Sequence, residues 1–170
     1  LAVPLWILGS GRGSADLAAR LGLPYAFATH FAPDGVHEAV ARYRAGFQPS
    51  EQLAEPHVML GLNVAAADTD AEARRQFTSV QQQFLNMSRG RPPGPLPPPV
   101  ADMDSLWEAD ERERVTAMLW ASAVGDPETV AAQVARFVAD TGADEIMATT
   151  QMHDPAAALR SLAIVAEAVN

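Results

Sequence analysis

Apolar runs of strand length alternate along this chain with stretches in which apolar residues recur at helical spacing, and that alternation constrains its fold most. Val3 to Leu8 is a short apolar run that stops at Gly9-Ser10-Gly11-Arg12-Gly13-Ser14. From Ser14 onward, Leu17, Ala18 and Leu21 repeat at helical spacing, and Gly22 supplies a C-terminal stop. Tyr25 to Phe31 reads as a second strand, followed by a helix capped by Asp34 with Val36, Val40, Tyr43 and Phe47 on one face. His57 to Ala66 is almost continuously apolar, as a strand covered on both faces should be. Thr69 and Glu72 have capping-box spacing, with Ala73, Phe77, Val80 and Phe84 behind them. Asp102 to Ser122 reads as an irregular helix. Asp126-Pro127 opens the next helix, Gly142 ends it, Glu145 to Thr150 is a fourth strand, and Asp154-Pro155 starts the last helix. Arg89 to Pro99 holds six of the 13 prolines and reads as an extended loop, an insertion at about 89–101.

Four strand-then-helix units predict an α/β fold with parallel strands and right-handed crossovers. Either an open doubly wound sheet or part of a (β/α)8 barrel satisfies them, and a complete barrel takes about 250 residues and eight strands. The 170 residues read as a single domain without an internal repeat. The chain opens Leu1-Ala2-Val3-Pro4 directly before an apolar run, which suggests a start inside a larger protein.

Composition removes several kinds of chemistry. All 12 basic residues are arginine, against 21 acidic residues, for a net charge of −9. No basic stripe exists for a nucleic acid or an anionic membrane, so neither is an expected partner. Lysine and cysteine are both absent, which excludes lysine Schiff bases, thiolate nucleophiles, disulfides and Cys-ligated metals. The four histidines (His30, His37, His57 and His153) fall on different elements without metal-binding spacing, and no metal is expected. Nothing has the form of a signal peptide or a spanning helix, so a cytoplasmic location is expected.

In parallel α/β folds, ligands bind at the C-terminal ends of the strands. The glycine-rich turn after the first strand is the leading candidate. A turn of this kind opening a helix offers backbone N–H groups and a positive dipole end, which suits a phosphate. Ser10 and Ser14 add hydroxyls and Arg12 a charge; a plain tight turn with a serine cap is the competing reading. The spacing Gly9-x-Gly11-x-Gly13 departs from the dinucleotide fingerprint, and no acid ends the second strand. His30 follows that strand, where a proton-transfer or ligand-contact role competes with that of a hydrogen-bonded rim residue. His153 follows the fourth strand and is placed toward the same mouth. The acids between Asp102 and Glu113 read as a solvated helix face.

The run PLWILGSGRGSADLAARLGLPYAFATHFAP (residues 4–33) resembles the fifth- and sixth-strand region of bacterial-luciferase-like flavin monooxygenases. SEQLAEPHVMLGLNVAAADTDAEARR (50–75), VGDPETV (124–130) and TGADEIMATTQMHD (141–154) are similar to the C-terminal half of that family, in the same order. The resemblance implies the C-terminal half of a (β/α)8 TIM-type barrel. It also implies reduced flavin mononucleotide (FMN) as cofactor, its phosphate on Ser10, Gly11 and Ser14. His30 is implied near the ring or substrate pocket, as the candidate catalytic residue. The parent protein would be a flavin-dependent oxidoreductase with a small-molecule substrate, the isolated chain lacking much of the ring wall. The alternative is a non-catalytic flavin- or phosphate-binding half-barrel that self-associates. A half-barrel leaves strand edges and one face uncovered, so either a homo-oligomer or pairing with the missing N-terminal half is expected. The uncovered set is expected from Val3, Leu5, Ile7, Tyr25, Phe27, Val58, Leu60, Leu62, Ile146 and Ala148, or from their alternates.

Overall fold

A computed structural model describes residues 3–92 and 94–169; Leu1 and Ala2 at the chain start, Pro93 of the proline-rich stretch and Asn170 lie outside the described residues. The chain forms two compact units, residues 1–62 with 137–147 and residues 63–136 with 148–170. Strands β1 (Ile7–Gly9), β2 (Tyr25–Phe27), β3 (Val58–Ala66) and β4 (Ser122–Gly125) pair in sequence, each parallel to the next, and β5 (Glu145–Thr149) pairs with β3.

In the first unit, β1 pairs with β2 from Ile7 opposite Tyr25, and β2 pairs with β3 from Tyr25 opposite Val58. Helix α1 (Arg12–Leu21) follows β1, and α2 (Val36–Gly46) follows β2. Their inner faces cover one side of the strands: Tyr25, Phe27, Val58, Leu60 and Leu62 are all 0–1% exposed. These five residues are therefore the covered alternates, and the open face carries Leu8, Ala26, Met59 and Met147 instead. Tyr43 locks α2 in place, with its ring 5.4 Å from Tyr25, its hydroxyl donating to the Leu23 carbonyl at 3.0 Å and accepting from the His57 amide. Gly22 ends α1 in the left-handed region at φ +62°, where its N–H and that of Leu23 close on Ala18 and Ala19 carbonyls.

Several boundaries differ from the sequence reading. Only Ile7–Gly9 of the first run is paired strand; Leu5 bonds instead through its backbone to the Gln52 carboxamide in both directions. Strand β2 stops at Phe27 because the next residues coil into a turn, with Phe31 and Ala32 N–H groups both reaching the Ala28 carbonyl. Helix α1 starts at Arg12 rather than Ser14, with Gly11 as its N-cap. Helix α2 takes its N-cap from Gly35 at φ +81° without a side-chain cap, so the Asp34 carboxylate does not supply one.

In the second unit, α3 (Asp70–Ser88) is capped by Thr69, whose hydroxyl accepts from the Glu72 N–H at 3.3 Å. The Glu72 carboxylate turns away to Arg75 and Gln76, and these donors hold it down at about 2. Residues 102–122 are not one helix: α4 covers only Ala109–Met118, and Ser122–Gly125 is β4, a strand the sequence reading missed. Pairing with Asn63–Ala66 of β3 makes it a strand, since its own Ser-Ala-Val-Gly composition is a weak strand signal. Helices α5 (Pro127–Thr141) and α6 (Pro155–Ala168) begin at the predicted prolines.

Val80, Phe84 and Leu85 of α3 pack with Met103, Val115 and Leu119, the last three on α4 and its flanks. Arg89 clamps the same region through a bidentate pair with Glu111, at 2.7 and 2.6 Å, and a bond to the Leu106 carbonyl. That pair, with the Glu108 amide, holds the Glu111 carboxyl down at about 2. A depressed carboxyl stabilises the fold above its unfolded pKa of about 4.5, and this contribution is lost as pH falls through about 2. Glu111→Gln keeps the cap but not the ion pair. Its melting temperature should lie below that of the parent chain at pH 7, and the gap should close toward pH 2 in thermal scans.

Candidate functional site

The turn between β1 and α1 is shaped by close approach of the helix to the strand. A Cβ at Gly9 would collide with the Ser14 side chain, so only glycine lets α1 begin this close to its strand. Ser14 is the third helical residue, and its hydroxyl faces inward. It donates to the Gly11 carbonyl at 2.7 Å and lies 3.1 Å from the Tyr25 hydroxyl, which also reaches Gly11 O. Burial raises the Tyr25 pKa, and the Ser14 hydroxyl partly offsets that. Ser10, Gly11 and Gly13 are exposed, and a Cβ at Gly11 or Gly13 would meet nothing within 4 Å. The first N–H groups of α1 have no acceptor inside the helix. Arg12 pairs with Glu38 of α2 at 2.8 Å, both side chains well exposed.

His30 sits in the turn after β2. Thr29 before it is fully buried, with its N–H and hydroxyl both on the Phe27 carbonyl. The His30 ring folds back over β3 at Gly61, where a Cβ would collide with Nδ1. Burial pushes the imidazole below its ordinary pKa, which favours its neutral form. His30 lines a cavity of about 380 Å³ in the first unit, whose other walls include Trp6, Leu8, Ala28, Met59 and Met147. The walls are almost wholly apolar.

Of the sequence-derived candidates, Gly11 and Ser14 are joined by a hydrogen bond, Ser10 stands beside them in the same turn, and His30 lines the cavity, which none of those three does. The other histidines have partners of their own. His57 pairs with Glu145 at 3.2 Å and meets the Trp6 ring edge-on, while exposed His153 is held by the Leu96 carbonyl at 2.9 Å. Gly61 escaped the sequence reading, although a glycine inside an apolar strand was a usable signal. Trp6 and Met147 left none, because only tertiary pairing brings them to His30.

In the second unit a smaller cavity of about 140 Å³ lies between the end of β3 and α6, lined by Asp68, Glu72, Gln76 and Arg160 among others. Arg160 pairs with Asp68 there at 2.5 Å, and Glu72 is taken up by Arg75 and Gln76. Among the described residues no three acidic or imidazole side chains are placed to hold a metal, and no helix is long and apolar enough to cross a membrane.

The family model for luciferase-like monooxygenase matches residues 1–145. The luciferase-like monooxygenase of Escherichia coli (strain K12) is 45% identical over 159 residues, which is 94% of this chain and 47% of that protein. The crystal structure of apo-MsnO8 superposes with a TM-score of 0.84 at 35% identity, covering 97% of this chain and 50% of that one. A type II Baeyer–Villiger monooxygenase from Pseudomonas putida, solved in complex with FMN, shares the fold at TM-score 0.59 and 16% identity, over 99% of this chain and 48% of its own. The parallel β/α units are thus those of the barrel fold expected from the sequence. The chain spans about half the length of the curated relatives it matches. With a family model covering most of its residues and a 45% identical relative of that description, the chain belongs to the luciferase-like monooxygenase family.

Proposed function

We propose that this chain is the flavin-phosphate-binding half of an FMN-dependent oxidoreductase. The observation that carries the reading is the open turn at Ser10–Gly13, where helix N–H groups without an intrahelical acceptor and an exposed serine lie in the same unit as the apolar cavity. Backbone donors at a helix start suit a phosphate dianion. An apolar cavity suits a flat ring or an organic substrate. The residues present therefore fit the group.

Within this reading, Ser10 and the N–H groups following Gly11 hold the phosphate. Ser14 acts through Gly11: by bonding its carbonyl, it fixes the plane of the peptide whose N–H opens the helix. Arg12 can leave its exposed pair with Glu38 at small cost, since such pairs contribute about 0–1 kcal/mol. His30, neutral and partly desolvated, can accept a proton or orient a polar atom at the cavity wall. Leu8, Met59 and Met147 keep water from that wall. Reduced flavin, when bound, supplies the electrons by which this class of enzyme works on oxygen.

Half-length coverage supports a second step. We infer that the chain works in association, either with another copy or with the segment that its relatives carry beyond the match. As a self-associating half-barrel it would bind flavin or phosphate without turnover.

Fluorescence titration with FMN and with riboflavin tests the phosphate reading. Hydrogen bonds to a charged group contribute about 1.5–3 kcal/mol each, so FMN should bind at least roughly tenfold tighter than riboflavin. Equal affinity would remove the phosphate from this turn.

A further inference from the structure

We infer that Gly61 is a positioning residue for His30, a notch in β3 that seats the imidazole and keeps the cavity open; this rests on His30 being the polar residue of the proposed ring or substrate pocket.

Gly61 lies inside β3, where a glycine weakens a strand and needs another reason to be present. Its backbone supplies none, since it is not among the glycines at positive φ. What Gly61 has is a neighbour. A Cβ built there would overlap His30 Nδ1 and come within 3.0 Å of Cε1 and Cγ, so the ring occupies the volume that any other residue would fill. Contacts this close are not absorbed at a flexible chain end, because a planar ring can only turn or leave.

The backbone of His30 has little freedom to compensate. Phe27 is registered opposite Leu60, so the chain leaves β2 beside Gly61. The Thr29 and Phe31 N–H groups are fixed on the Phe27 and Ala28 carbonyls, on either side of His30. One constraint sets the root of the side chain and the other sets the ring. With Nδ1 buried toward β3, Nε2 is the ring nitrogen on the far side from the strand. A side chain at 61 would push the imidazole into the cavity bounded by Trp6, Met59 and Met147, reducing the room for a ligand and changing which nitrogen meets it.

The test is Gly61→Ala in the full chain, alone and with His30→Ala, read by imidazole NMR titration and by thermal melting. Displacing the ring toward solvent should raise the His30 pKa toward the ordinary histidine value, a change that loss of stability alone does not produce. The single variant should melt lower than the parent. In the His30→Ala background the same glycine-to-alanine change should be neutral or raise the melting temperature, because the clash is gone and alanine restricts the unfolded chain more. An unmoved His30 titration, or the same melting penalty in both backgrounds, overturns the inference. Should Gly61→Ala fail to fold, recovery of folding in the double variant supports it and failure of both refutes it. FMN titration of the parent chain judges the flavin reading separately, since the coupling of Gly61 to His30 needs no ligand.

Discussion

Gly13→Asp should abolish FMN binding while raising the melting temperature of the chain. The two effects have opposite signs because they act through different parts of the same turn. Gly13 is the second residue of α1, and a side chain there enters open space. A glycine in a helix costs roughly 0.5–1 kcal/mol relative to alanine, and an acid in the first turn gains about 0.3–1 kcal/mol from the helix dipole. The fold should therefore tolerate or welcome the change. A phosphate dianion drawn to the same N–H groups would meet a fixed carboxylate. At 4 Å each pair of like unit charges costs between about 1 and about 4 kcal/mol, from bulk water to a protein surface. With two charges on the phosphate, affinity should fall roughly a hundredfold or more. Calorimetry of FMN binding and a thermal scan on the same samples decide it: affinity that survives alongside a raised melting temperature would mean that the turn caps a helix and nothing else.

That turn also marks the limit of what spacing alone could reveal. An apolar run stopped by glycines and serines is a local pattern, and β1, the turn and α1 all lie where the pattern puts them. The direction of the Ser14 hydroxyl is not local. It depends on Gly9 lacking a Cβ and on Tyr25, eleven residues away, arriving from β2 to share the Gly11 carbonyl. Its partners are the Gly11 carbonyl and the Tyr25 hydroxyl on the strand behind it. The Gly61 notch is more remote still, since 31 positions separate it from His30 and only the register of β2 against β3 joins them.

The same division runs through the secondary structure. Strand β3 was legible because burial on both faces forces a long apolar run, and the stops at Gly22 and Gly142 were legible because both carry the left-handed backbone that favours glycine, at φ +62° and +67°. Strand β4 was not, because a four-residue Ser-Ala-Val-Gly segment becomes a strand only when a partner offers it a ladder. Strand alternation implied that one set of residues would be covered and the other open, but which set pointed to α1 and α2 required the helices themselves. With Tyr25, Phe27 and Leu60 beneath them, Leu8, Met59 and Met147 are left on the open face.

Light scattering at tens of micromolar should find the chain at twice its 18.1 kDa mass or more. In the first unit Leu8 is 70% exposed and Met147 49% exposed, both on strands and both lining one apolar cavity, and large exposed apolar surface of this kind marks an interaction site. In the second unit α6 exposes Leu159 at 70% and Leu162 at 40%, three residues apart and hence on one face. Burial of apolar surface contributes roughly 25 cal/mol per Å², so covering even 400 Å² of it would yield about 10 kcal/mol before the costs of association. The net charge of −9 opposes this only over the Debye length, about 8 Å at physiological salt. Leu8→Glu places a charge on the open strand face without touching the covered one, so it should shift the chain toward the single-chain mass with its circular dichroism unchanged. Two kinds of partner remain distinguishable. A second copy gives a mass that rises with concentration in the pure chain, whereas the segment that its relatives carry beyond the match gives a complex only when that segment, taken from a relative, is added. A pure chain that stays at 18.1 kDa across the range, and does not bind the added half, would overturn both and leave the open face with a role confined to the ligand.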